Sequence, residues 1–148
     1  MMFIQEAAFV DVLLVEDNIG DVRLTQEAFK EARFRYNLHI ARNGVEALSF
    51  LRQQGKYKNA IRPDIILLDL NLPKKDGRQV LLEIKADDTL KRVPVIVLTT
   101  SGTMEDIIWS YNLHANCYIN KPIEIDQFIN VIQTIEEFWL TIVRLPQE

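Results

Sequence analysis

The feature that most constrains this chain is an alternation, met five times, between short β-rich apolar runs and longer stretches of helical period. The runs are Phe9–Val15 (FVDVLLV), Leu38–Ala41 (LHIA), Ile65–Leu68 (IILL), Val93–Leu98 (VPVIVL) and Cys117–Ile119 (CYI). Three of them are nearly continuous Val, Ile and Leu, the pattern of strands covered on both faces. Between them Asp21–Ala32, Val45–Gln54, Gly77–Ala86 and Met104–Leu113 carry apolar residues at helical spacing, and a fifth helical stretch runs from Glu124 to about Val143. Strict β/α alternation predicts an α/β fold: a doubly wound five-stranded parallel sheet with right-handed crossovers and helices on both faces. The one long polar connection, Arg52–Pro63, reads as a solvated loop.

At 148 residues, 48% hydrophobic and 26% charged, these five units use the whole chain. We therefore expect one domain over residues 1–148, with no output domain attached. A chain of this size buries about 70% of its unfolded surface and needs no disulfide or structural metal, and its single cysteine cannot form an internal disulfide. No apolar run nears the roughly 18 residues of a membrane span, and Met1–Val10 is broken by Gln5 and Glu6 and lacks a basic start. Lys and Arg number 17 against 21 Asp and Glu, a formal net charge of −4, so there is no general attraction to phosphate backbones or anionic lipid. The expected setting is cytoplasmic, without a membrane or nucleic-acid partner.

Ligands of such sheets bind at the carboxyl ends of the strands, beside the point where strand order reverses. Just past the strands stand Glu16 and Asp17, Asp69, Thr99 and Thr100, and Lys121. With strands one and three adjacent, Glu16, Asp17 and Asp69 converge. Three carboxylates in one small site call for a hard divalent cation with oxygen ligands, and Mg²⁺ fits because it takes one or two carboxylates and keeps open positions for phosphate oxygens. Asp69 is then the expected nucleophile, since a carboxylate can accept a phosphoryl group as an aspartyl phosphate. The Mg²⁺, the Lys121 ammonium and the Thr99 hydroxyl would neutralise the oxygens of the transferred group.

Four motifs fall in order along the chain: Leu14-Val15-Glu16-Asp17-Asn18; Asp64 through Asp69-Leu70-Asn71-Leu72-Pro73 with Asp76-Gly77; Val97-Leu98-Thr99-Thr100; and Tyr118-Ile119-Asn120-Lys121-Pro122. Together they resemble the response-regulator receiver domain over nearly the whole chain. The resemblance implies a flavodoxin-like sheet of strand order 2-1-3-4-5. It also implies that Glu16 and Asp17 hold Mg²⁺ with Asp69 and the backbone carbonyl of Asn71. Asp69 would be phosphorylated from the phosphohistidine of a partner histidine kinase, with Lys121 and Thr99 engaging the phosphoryl group. Tyr118 would turn inward when Thr99 moves, Lys121-Pro122 would be a cis peptide, and Asn71 and Ser101 would tune hydrolysis. Such a protein is a switch, not an enzyme beyond its own phosphorylation and dephosphorylation.

A narrower likeness lies in Gln54-Gly55-Lys56-Tyr57, Arg62-Pro63, Leu70 through Arg78, Phe138-Trp139-Leu140 and Leu145-Pro146. These look like the small stand-alone regulators paired with cyanobacterial phytochrome histidine kinases, which implies red and far-red light as the upstream signal.

The fifth helical stretch holds surplus apolar surface. Ile125, Phe128, Ile129, Ile132, Ile135, Trp139 and Val143 form one stripe for the core, and Val131, Phe138, Ile142 and Leu145 form a second beside it. An exposed second stripe marks an interaction site. We expect a homodimer through this helix, helped by Ile108, Trp109 and Tyr111, and signalling to a downstream protein whose identity the sequence does not carry.

Other residues read more plainly. His39 and His114 lack partners at zinc-ligand spacing, Cys117 reads as a buried thiol, and Lys74 and Lys75 read either as a solvated loop or as a contact for an acidic kinase surface. An aspartyl-phosphate phosphatase is the alternative function, but Asn71 cannot serve as the general acid that a second Asp would supply. A flavin carrier of similar topology would need a phosphate cradle after the first strand, where Glu16 and Asp17 repel phosphate.

Overall fold

The computed structural model describes residues 9–99, 117–120 and 124–138. Its strands are β1 (Val10–Val15), β2 (Tyr36–Ala41), β3 (Ile65–Asp69), β4 (Val95–Thr99) and β5 (Cys117–Asn120). Its helices are α1 (Ile19–Phe29), α2 (Gly44–Leu51), α3 (Gly77–Ala86) and α4 (Ile125–Phe138), with a 3₁₀ turn over Gly55–Tyr57. All strand pairs are parallel, and their order is β2-β1-β3-β4-β5. The expected doubly wound sheet and its strand order are therefore present.

The near-continuous apolar runs are explained by the two cores. Along β1, Leu13 and Val15 join Leu48 and Leu51 of α2 and Val80, Leu81 and Ile84 of α3 in one buried cluster. Val10, Val12 and Leu14 join Val22, Ala28 and Phe29 of α1 and Phe128 and Ile132 of α4 in another. Successive side chains of a strand point to opposite faces, so a strand that feeds two cores has no polar alternation to show.

Local chemistry sets the helix starts. Asn18 Oδ1 accepts from the Asp21 N–H at 2.9 Å, Asn43 Oδ1 from the Glu46 N–H at 2.8 Å, and Asp76 Oδ2 from the Arg78 N–H at 3.1 Å. Each satisfies a donor that the first helical turn leaves without a partner. Helix α1 thus begins at Ile19, two residues ahead of the expected Asp21. Helix α2 ends at Leu51, short of Gln54, because Gln53 takes a left-handed φ of 56°. Strand β2 begins at Tyr36 instead of Leu38; as an edge strand it is mostly half-buried, and its start lacks the continuous apolar run of the central strands.

The connection Arg52–Pro63 is mostly exposed, as expected of a solvated loop, but it is anchored to the protein at two points. Tyr57 and Ala60 pack against the core beside α2, and Gln53 Nε2 donates to the Ala60 carbonyl at 2.7 Å. Two readings of the last helix also change. Ile125, assigned to the core stripe, is 40% exposed at the first residue of α4, and Val131, assigned to the surplus stripe, is half-buried against the α1 core. The stretch Met104–Leu113 and residues 139–148, with Trp109, Trp139, Ile142 and Leu145, lie outside the described residues.

At the opposite end of the sheet from the expected site, Asp11 is buried, with Asn37 Nδ2 and His39 Nε2 each 3.1 Å from its Oδ1. The Asp11 N–H donates to Asp64 Oδ2 at 2.9 Å, and burial pushes the Asp64 carboxyl above the ordinary carboxylate range. His39 is therefore a structural partner of Asp11.

Candidate functional site

Strands β1 and β3 are hydrogen-bonded neighbours, with Val15 opposite Leu68. Their carboxyl ends bring Glu16, Asp17 and Asp69 together, and one carboxylate oxygen from each lies within 4.8 Å of the others. Glu16 and Asp69 are buried, 1% and 5% exposed, whereas Asp17 faces solvent. The site is thus a carboxylate cluster with a dry floor and an open rim.

Backbone amides orient the two buried carboxylates. Asn18 N–H donates to Glu16 Oε2 at 3.2 Å, and Asn71 N–H donates to Asp69 Oδ1 at 3.0 Å. Both bonds fix the direction in which a carboxylate oxygen points. The donor set is all oxygen and formally triply negative, which suits a hard divalent cation and offers nothing to a soft metal.

Helix α3 starts directly behind this cluster. Gly77 N–H donates to the Leu70 carbonyl at 2.9 Å, and a Cβ added at Gly77 would collide with the backbone carbonyl of Asp69 and lie 2.5 Å from Leu70 Cα. Only glycine lets the helix begin so close to the strand end.

The remaining expected residues are placed by the backbone. Thr99 ends β4 opposite Asn120 of β5, at the same end of the sheet as Asp69, which pairs with Leu98. Tyr118 lies on β5 opposite Val97. Lys121, Pro122, Thr100 and Ser101 lie outside the described residues. Sequence reading did not single out Gly77 or Asn18 for these structural tasks; the Asp-Gly pair and the Asn before a helix were the available signals.

The response regulator receiver domain family matches residues 12–133, which include every residue of the carboxylate cluster. The chain belongs to that family. The receiver is 53% identical over 135 residues to the response regulator Rcp1 of Synechocystis sp., with 91% of this chain and 92% of that protein covered. Among solved structures it is similar to the phosphorylated cyanobacterial phytochrome response regulator RcpA, at 54% identity and a TM-score of 0.84 over 94% of this chain and 99% of that one. It is also similar to the Mn²⁺-bound form of Rcp1, at 52% identity and a TM-score of 0.82, with 93% and 99% covered. The receiver's flavodoxin-like α/β fold agrees with these neighbours. Among its described residues, no helix is long and apolar enough to cross a membrane.

Cation binding to the folded receiver alone stabilises it by mass action, by about 2.7 kcal/mol at a hundred times the dissociation constant. Millimolar Mg²⁺ or Mn²⁺ should accordingly raise the melting temperature of the metal-free protein by several degrees, at roughly 2–4 °C per kcal/mol. Asp17→Asn, which removes the exposed carboxylate of the cluster, should lose most of that rise in a thermal melt. Equal rises in both proteins would show that the cation binds elsewhere.

Proposed function

We propose that this receiver accepts a phosphoryl group on Asp69 from a partner histidine kinase and signals through the resulting change in its protein contacts. The observation that carries the reading is the meeting of Glu16, Asp17 and a buried, amide-oriented Asp69 at the carboxyl ends of adjacent strands. An Asp69 carboxylate oxygen forms a bond to phosphorus as the bond from phosphorus to the kinase imidazole nitrogen breaks, and the imidazole leaves with a proton from solvent. Glu16, Asp17, Asp69 and the Asn71 carbonyl would hold Mg²⁺, which supplies positive charge against the phosphoryl oxygens when bound. Lys121 and Thr99 are assigned to the same oxygens, and Thr99 with Tyr118 to the switch that carries the change outward.

The likeness to RcpA, a cyanobacterial phytochrome response regulator, supports a phytochrome-type kinase as the donor, and thus light as the input in the cytoplasm. The protein then acts as a switch, with catalysis limited to its own phosphorylation and dephosphorylation. Incubation with a small phosphoryl donor and Mg²⁺, followed by intact mass, tests this: one acid-labile phosphate is expected, and an unmodified chain would overturn it.

A homodimer through the last helix is part of the same proposal. Its support is the apolar stripe of Val131, Phe138, Ile142 and Leu145 in the sequence; Val131 is partly occupied by the protein's own core, so Phe138 and the residues after it would carry the contact. Sedimentation at micromolar concentration should give a dimer that Phe138→Glu converts to monomer. A wild-type monomer, with and without a phosphoryl analogue, would remove the dimer from the scheme.

A further inference from the structure

The loop from β3 to α3 contains a strained turn. Lys74 holds a φ of 66°, a left-handed conformation uncommon for a residue with a side chain, and the Lys75 N–H donates back to the Pro73 carbonyl at 2.8 Å. A bond closing three residues around a positive-φ centre is the rare, strained form of γ-turn. Such backbone persists only where its surroundings over-determine it, and strain of this kind gathers at functional sites.

Two contacts hold the turn. On one side Gly44, the first residue of α2, sits so close that an added Cβ would run into the Lys75 carbonyl oxygen and lie 2.8 Å from Lys75 Cβ. On the other, Lys75 Nζ is 2.8 Å from Glu83 Oε2 on α3. The same carboxylate takes Gln79 Nε2 at 3.0 Å, and its other oxygen takes Arg52 Nη2, just past the end of α2, at 2.8 Å. The Lys75 ammonium, with Gln79 and Arg52, holds the Glu83 carboxyl at about 2, against 4.5 for an ordinary glutamate. Glu83 thus stays charged at any physiological pH. An isolated surface ion pair orders little; here three donors from two helices and a loop meet on one half-buried carboxylate.

We propose that Glu83, acting through Lys75, is a positioning residue for the cation site: it holds the strained Pro73–Lys75 turn, and with it the loop that offers the Asn71 carbonyl. This inference rests on the phosphoryl-receiving reading, in which Asn71 is a metal ligand. Lys75 accordingly serves the protein's own loop.

The test is calorimetric titration of the metal-free full chain with Mn²⁺ alone. Glu83→Met should weaken binding about three- to tenfold, below the range for a residue bonded directly to a ligand. Lys75→Met should do the same, and the double variant should be no weaker than either single one, because each already removes the Lys75–Glu83 contact that holds the turn. Lys91→Met, which removes the remote Lys91–Asp88 pair, should leave affinity unchanged. Amide exchange at Leu72, Lys74 and Lys75 should quicken in Glu83→Met while β1 and β3 stay protected, a pattern that general destabilisation does not produce. Wild-type affinity in Glu83→Met, or additive losses in the double variant, would overturn the inference and leave the phosphoryl-receiving reading standing. A wild-type chain that binds no Mn²⁺ would overturn both.

Discussion

Asp69→Asn should abolish phosphoryl uptake: with a small phosphoryl donor and Mg²⁺, the variant should keep its unmodified mass while the wild type gains one acid-labile group. The amide has the shape of the carboxylate, and its oxygen can still accept the Asn71 N–H that now lies 3.0 Å from Asp69 Oδ1. What it lacks is the anionic oxygen that attacks phosphorus, so the rate should fall by about a thousandfold or more. The fold should survive, because the substitution keeps the packing and removes one of three clustered negative charges. Uptake at the wild-type rate in Asp69→Asn would mean that another residue is the acceptor, and the roles assigned to Lys121 and Thr99 would fall with it.

Gly77→Ala should damage fold and site together. The added methyl meets backbone on two sides, the Asp69 carbonyl and Leu70 Cα, and backbone cannot swing aside as a side chain can. Overpacking of this kind destabilises by about 2–3 kcal/mol, or roughly 5–10 °C in a chain of this size. Relieving the clash means forcing apart the start of α3 and the Asp69–Leu70 backbone, which shifts the end of β3 that carries the Asp69 carboxylate. Reduced Mn²⁺ affinity should therefore accompany the lower melting temperature. A variant that melts with the wild type would show that the start of α3 has room to spare.

The parts of the site that the sequence reveals are those set by a single local rule. Ile65–Leu68 is continuous apolar residue followed at once by Asp69, so both the strand and the cluster's buried carboxylate can be read from one short segment. Glu16 and Asp17 follow β1 in the same way, and parallel β/α topology then brings them to Asp69. Boundaries that depend on side-chain caps or strained backbone were displaced, as at Asn18 and Gln53. The edge strand β2 read short because half-burial weakens its pattern. The Lys75–Glu83–Arg52 contacts could not be read at all. Lys75 and Glu83 are eight positions apart, with a turn of unforeseen conformation between them, and Arg52 arrives from a different helix. Val131 shows the converse limit: helical spacing assigns a face, but the neighbouring helix α1 decides how much of that face is covered.

The buried Asp11 bears on how this sheet avoids assembling wrongly. Strand β2 lies at the sheet's edge and joins it only through β1, with Asn37 opposite Asp11 and His39 opposite Leu13. Both polar side chains of β2 lie within hydrogen-bond distance of the same Asp11 oxygen. Sliding β2 by one position would turn Asn37 and His39 to the other face and bring apolar neighbours to a buried carboxylate, stranding it at about 1–3 kcal/mol or more. The polar pair therefore acts as a proofreading device for the edge strand, penalising a mispaired sheet at the end opposite the carboxylate cluster.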